Sequence, residues 1–242
     1  MPENNSGPGK IFVMGDVHGA HKAMVQCLDR SEFDYQNDGL IFLGDVADGW
    51  SEVPECIEEF RKIRLRVILK GNHDVWFEKF LRYGEEPEHW LVQGGMITVR
   101  AYRDKPHLLM SHLTFMESAL PYYLDPDNRL FVHAGFNPDK PVDQTDNPAE
   151  DYFWTREVYK RSFVAPVMPE LYQEIYIGHT PTRNLSAIPL KNNNVWLMDQ
   201  GAAWDGRLSM LNVRTKEFFQ SDPVKVLYPD EPGRAGLLGL SF

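Results

Sequence analysis

The chain has 242 residues, 43% hydrophobic and 25% charged, which is enough for one large α/β domain with a sizeable core. Its net charge of −10 argues against broad electrostatic binding of nucleic acid. Only two cysteines are present, Cys27 and Cys56; they give no disulfide framework and read as small buried apolar residues of helix-like stretches. The opening MPENNSGPGK has no apolar signal core, and no run approaches the roughly 18 apolar residues of a membrane span. The expectation is a cytoplasmic protein with no membrane partner.

Residues 1–9 are polar and rich in Gly and Pro, and read as a disordered lead-in. A single domain is expected over 10–228. It begins with an alternation of strand and helix: apolar runs at 11–14, 40–43 and 65–69 are separated by helical spacing at 20–30 and 51–63, and a helix is expected over 74–82. Ser51 is expected to cap the second helix. By periodicity alone this rhythm predicts a parallel sheet with helices on its faces. Residues 83–128 read as a partly helical insertion, with a helix over 111–120. Strands resume at 130–132, 175–177, 195–198 and 207–213, and the last two are expected to pair across Asp205-Gly206. The tail, 229–242, is again rich in Gly and Pro.

Five short segments carry the chemistry: GDVHG (15–19), GDVAD (44–48), GNHD (71–74), VHAG (132–135) and GHT (178–180). Three directly follow an apolar run, where open α/β sheets bind ligands beyond the carboxyl ends of their strands. Together Asp16, His18, Asp45, Asn72, His133 and His179 offer the carboxylates, imidazoles and amide oxygen that suit two divalent metals about 3.5–4 Å apart. Such a pair polarises a phosphoryl oxygen and lowers the pKa of a bridging water. His73 should point away from the ion beside Asn72, and is better placed as a general acid, with Asp48 holding its other ring nitrogen. Taken singly, GDVHG is a moderately specific signal and VHAG and GHT are weak ones; the order of all five at strand ends makes the set specific.

These motifs resemble the calcineurin-like metallophosphoesterase superfamily, and within it the phosphoprotein phosphatase branch of bacterial and phage serine/threonine phosphatases and symmetrical diadenosine tetraphosphate hydrolases. The resemblance runs from Gly15 to Thr180, supported by WLVQGG (90–95), FWTRE (153–157) and DQGAAWDGRLSML from Asp199. It implies a β-sandwich flanked by helices with a dimetal site at the strand ends. By the same resemblance, Asp16, His18 and Asp45 would hold one metal, and Asp45, Asn72, His133 and His179 the other. Arg156 and Asn72 would hold the substrate phosphate, and His73 with Asp48 would be the acid pair. The implied cofactor is two divalent ions, Mn²⁺ first, with Fe, Zn or Ni also suited to mixed O and N ligands. The implied partner is a phosphorylated substrate: a phosphoprotein, a nucleotide or a small phosphoester.

One position departs from the pattern. The branch's Asp-Arg-Gly, whose arginine binds phosphate, is here Asp48-Gly49-Trp50, so that either Arg183 or Arg103 supplies a second guanidinium or phosphomonoesters bind less tightly. The reading is a phosphomonoesterase that works through attack of a metal-bridging hydroxide. Its alternatives are a dinucleoside polyphosphate hydrolase, a phosphodiesterase, and, outside enzymes, a catalytically silent metal-binding scaffold.

Overall fold

Alternation of side chains along short apolar strands sets the architecture, because each strand has something to bury on both faces. The computed structural model describes residues 9–234, so the lead-in expected at 1–9 and the tail expected at 229–242 lie mostly outside the described residues. In chain order, β1 (Ile11–Met14) leads to α1 (His21–Arg30), β2 (Gly39–Phe42) to α2 (Val53–Lys62), and β3 (Leu65–Ile68) to α3 (Asn72–Tyr83). Next come α4 (Glu88–Trp90), a kinked turn at Leu91–Gly95, α5 (Met96–Tyr102) and α6 (Leu109–Glu117). They are followed by β4 (Tyr122–Leu124), β5 (Arg129–Val132), α7 (Pro148–Phe153), α8 (Glu157–Ser162) and β6 (Glu174–Ile177). The chain then forms β7 (Leu190–Asn192), β8 (Val195–Leu197), β9 (Ser209–Asn212), β10 (Phe218–Gln220) and α9 (Val224–Leu227).

The strands form two five-stranded mixed sheets, β10-β9-β1-β2-β3 and β4-β5-β6-β8-β7. Period two explains their layering. Phe12 and Met14 of β1 face the helices α1 and α2, packing with Met24, Leu28, Ile57 and Phe60, whereas Val13 between them faces the other sheet. There it joins Ile41, Leu211, Phe131, Tyr176 and Met198 in an inter-sheet layer. The outer face of the second sheet (Leu130, Val132, Ile175, Ile177) packs on Tyr152 and Val158 of α7 and α8. The result is a helix-flanked β-sandwich, the architecture implied by the sequence resemblance.

Two expectations are corrected. β8 and β9 do not pair: β8 lies parallel to β6 in one sheet, and β9 lies antiparallel to β1 in the other. All four residues of β9 are buried, so it needs covering layers on both faces, which a terminal two-stranded hairpin does not supply. Nor does Ser51 cap α2. The helix starts at Val53 with no side-chain cap, and Ser51 instead donates its N–H and hydroxyl to Glu231, at 3.0 and 2.7 Å. Cys27 and Cys56 are buried free thiols, and burial pushes Cys27 up to about 12.

Candidate active site

The carboxyl ends of β1, β2 and β3 meet those of β5 and β6 along one edge of the sandwich, so the five glycine-flanked segments converge. Asp16, His18 and Asp45 form one group whose ligand atoms lie within 4.8 Å of one another; Asp45, His133 and His179 form a second, sharing the Asp45 carboxylate. Asp45 Oδ2 is 3.6 Å from His18 Nε2 and 3.4 Å from His133 Nε2, while its Oδ1 accepts the His73 backbone N–H at 2.9 Å. Asn72 Oδ1 stands 3.1 Å from His133 Nε2 and 3.0 Å from His179 Nδ1.

Each of these three imidazoles donates one ring N–H to a backbone carbonyl and presents the other nitrogen to the centre. His18 Nδ1 donates to Ala47 O at 2.8 Å, His133 Nδ1 to Leu43 O at 2.9 Å, and His179 Nε2 to Trp154 O at 3.1 Å. This is the orienting pattern of metal-ligating histidines. Burial, with repulsion from neighbouring imidazoles, drives His18 and His179 down to about 3, which keeps their inward nitrogens unprotonated. At His133 burial also opposes the charge, but Asp45, Asp16 and Asp74 outweigh it and lift the ring to about 9. Burial and the charge of Asp199 raise Asp16, whose buried Oδ1 has no donor among the described residues. An orphaned carboxylate oxygen beside inward-facing lone pairs fits a cation, and binding one would displace the His133 proton.

The glycines of the segments have a steric reason. A Cβ on Gly178 would stand 2.0 Å from Asp16 Oδ1, and one on Gly71 would stand 2.1 Å from Asp45 Oδ1. The carboxylates occupy the space any side chain would take. His18, Asp45, Asp48 and His179 all hold φ between +49° and +69°, the left-handed backbone that costs an L-residue about 1–3 kcal/mol and collects at functional sites.

His73 turns away from this centre. Its Nδ1 donates to Asp48 Oδ2 at 2.7 Å, and its ring lies 5.1 Å from that of His18. Asp48 is itself fixed, accepting Trp90 Nε1–H at 2.6 Å and the Thr98 hydroxyl at 2.7 Å. A cavity of about 330 Å³ opens over the cluster, lined by His18, Asn72, His73, Trp154, Arg156 and Asp199, among others. Arg156 therefore shares the cavity. Arg183 instead pairs with Asp205 in a neighbouring depression, and Arg103 is exposed beyond α5, so neither borders this cavity. A wider cleft of about 550 Å³ lies at the opposite strand ends, where its Arg129 is already paired to Asp125 at 2.6 Å.

A model of the calcineurin-like phosphoesterase family matches residues 9–204. The chain belongs to that family. It is a hydrolytic enzyme of phosphoesters, and the family's dimetal site agrees with the Asp/His groups gathered here. Serine/threonine-protein phosphatase 1 of Salmonella typhimurium is 25% identical over 84% of this chain and 92% of its own length. A symmetrical bis(5′-nucleosyl)-tetraphosphatase of Coxiella burnetii is 28% identical over 54% of this chain, but the match spans only 43% of that relative. Among solved structures, one provisionally named a diadenosine tetraphosphatase aligns with 91% of this chain and 95% of its own, with a TM-score of 0.64 at 17% identity. That level of identity speaks for the fold alone.

Several members of the site were not picked out in the sequence. Asp199, buried at the cavity wall and raised by burial to about 6, follows β8 in the segment DQG; it is an acid just after a strand, two residues before a glycine. Asp74, the last residue of GNHD, is not among the candidate ligands, yet its carboxylate accepts the backbone N–H groups of Asp45, Val46 and Gly71 at 2.7, 2.9 and 3.0 Å, tying two site loops together. Trp90 and Thr98 come from the insertion, and no local pattern marks them as partners of Asp48. Among the described residues no helix is long and apolar enough to cross a membrane.

Proposed function

We propose that this phosphoesterase hydrolyses phosphomonoesters in the manner of the serine/threonine phosphatases. The carrying observation is the His73–Asp48 pair: an imidazole at the cavity wall, locked at 2.7 Å to a fully buried carboxylate that Trp90 and Thr98 hold in turn. Two divalent cations held by Asp16, His18, Asp45, Asn72, His133 and His179 would supply Lewis acidity and a lowered pKa for bound water. Arg156 then meets the phosphoryl oxygens with its planar fork, and the Asn72 amide steadies them. His73 delivers its proton to the departing oxygen, and Asp48 stabilises the imidazolium and aims it. The 92% coverage of the Salmonella phosphatase, against 43% of the tetraphosphatase, supports a phosphomonoester over a dinucleoside polyphosphate. The absent arginine at position 49 leaves a phosphodiesterase reading open, and the tetraphosphatase relative keeps the dinucleoside polyphosphate in the panel.

The test is turnover of p-nitrophenyl phosphate, a phosphoserine peptide and diadenosine tetraphosphate with added Mn²⁺. Phosphomonoester turnover that chelation abolishes, and that His73→Ala lowers about 10²- to 10⁴-fold, is expected. Activity surviving both perturbations defeats the mechanism; preference for the tetraphosphate transfers the site to the second reading.

A further inference from the structure

Backbone geometry closes position 49 to an arginine. Gly49 has φ +149°, and a Cβ there would stand 2.9 Å from His18 O and 3.0 Å from His18 Cβ, so restoring a side chain would push on a residue of the metal group. The next residue, Trp50, does something else. It is fully buried, donates Nε1–H to Ala202 O at 2.7 Å and stacks on Tyr228 with ring centres 5.1 Å apart. The C-terminal segment docks on that ring: Gly233 approaches so closely that a Cβ there would meet Trp50 Cη2 at 2.7 Å. Glu231 ties the same segment to Ser51, and the Arg234 N–H reaches Ala203 O at 3.3 Å.

This strap sets the Arg234 side chain in the wall of the catalytic cavity, with His18, Asp45, Asn72, His73 and Asp199. Its guanidinium lies 5.1 Å from the Trp204 ring centre, which orients the plane. Its buried Nε has no hydrogen-bond partner among the described residues, and burial disfavours its charge more than the distant Asp45, Asp48, Asp199 and Asp16 favour it. A guanidinium is costly to leave without partners, and the cations that suit Asp16 and Asp45 would take those carboxylates for themselves. Among the described residues nothing completes its coordination, and an anion in the cavity would do so.

We propose that Arg234 grips the phosphoryl group together with Arg156, replacing from the C-terminal strap the arginine that Gly49 cannot be. Trp50, in the same departure from the family pattern, is the dock that makes the replacement possible. The proposal rests on the phosphomonoesterase reading of the cavity.

Calorimetric binding of inorganic phosphate to the Mn²⁺-loaded full chain tests it, beside kcat and KM for p-nitrophenyl phosphate. Arg234→Gln should weaken phosphate binding and lower kcat/KM by about 10- to 100-fold, the range of a lost charged hydrogen bond, with Mn²⁺ content and melting temperature unchanged. Arg234→Lys, which keeps charge without the fork, should fall between that variant and the wild type, and it carries the test alone if the Gln variant folds poorly. Phosphate binding and KM equal to wild type in both variants would overturn the proposal. Tighter binding in Arg234→Gln would overturn it as well, showing a plug rather than a grip. A wild type that holds Mn²⁺ but neither binds phosphate nor turns over any phosphomonoester would instead bring down the underlying reading, and the proposal with it.

Discussion

Asp48→Asn separates the shape of the acid pair from its charge. The carboxylate is buried and fully used: Oδ2 takes Trp90 Nε1–H and His73 Nδ1–H at 2.6 and 2.7 Å, and Oδ1 takes the Thr98 hydroxyl at 2.7 Å. In the variant the amide oxygen takes the Oδ2 place and keeps both ring donors. Its NH₂ then donates to the Thr98 oxygen, a hydroxyl that can accept as well as donate. The His73 and Trp90 contacts survive; the negative charge facing the imidazolium is lost, together with the acceptor of the Thr98 hydroxyl proton. A hydrogen bond to a charged group is worth about 1.5–3 kcal/mol against about 1 for a neutral one, so the difference at His73 is about 0.5–2 kcal/mol. That lowers kcat by about 2- to 30-fold. The loss should be greater on a phosphoserine peptide, whose alkoxide must be protonated, than on p-nitrophenyl phosphate, whose leaving group is a stable anion. Asp48→Ala, in contrast, strands three donors and should cost about 3–5 kcal/mol in urea unfolding. Steady-state kinetics of Asp48→Asn on the two substrates are the assay. Equal losses on both, or none on the peptide, would refute the role given to Asp48.

Gly178→Ala forces the Asp16 carboxylate from its place, since a Cβ would stand 2.0 Å from Oδ1 while Oδ2 is held by the His179 N–H at 2.9 Å. Mn²⁺ affinity, measured by titration, should fall about 10- to 100-fold, and an unchanged affinity would remove Asp16 from the metal group. Away from the site, Glu174 gives a pH signature. Burial would raise it, but Lys216, Tyr176 and Trp196 outweigh burial and hold it at about 2, below the ordinary 4.5. The folded state therefore binds the proton more weakly than the unfolded chain; the stabilisation is complete above pH 4.5 and disappears as pH falls toward 2. Glu174→Gln should lose about 1–3 kcal/mol in urea unfolding at neutral pH, with the gap to wild type closing below pH 4.5; a gap independent of pH contradicts the pairing.

The metal-group residues were legible because their grammar is local. An apolar run that ends in Gly-Asp or Gly-Asn fixes where a strand stops and which side chain follows it, and neighbouring strand ends must then be neighbours in space. Asp199 also follows an apolar run directly, but without a glycine before it, so that pattern does not mark it. What stayed hidden depends on contacts across long sequence separations. β7 and β10 are three-residue edge strands too short to announce themselves, and β4 lies inside the insertion of weak pattern. Trp90 and Thr98 reach Asp48 across 42 and 50 residues.

By itself, then, the sequence determined the kind of chemistry: which donors stand at the strand ends, and that one arginine of the family pattern is missing. Those are properties of residue type and short spacing, which period two and a glycine's small size convert directly into geometry. Only the tertiary structure decided which strands pair, since hydrogen-bond partners are chosen by the burial of whole faces; Ser209–Asn212 went to β1 rather than to its nearer neighbour β8. A comparably long stretch of sequence separates Gly49 from Arg234. A packed indole at Trp50 brings residues 233–234 to the cavity, and no local pattern in either segment records that they meet.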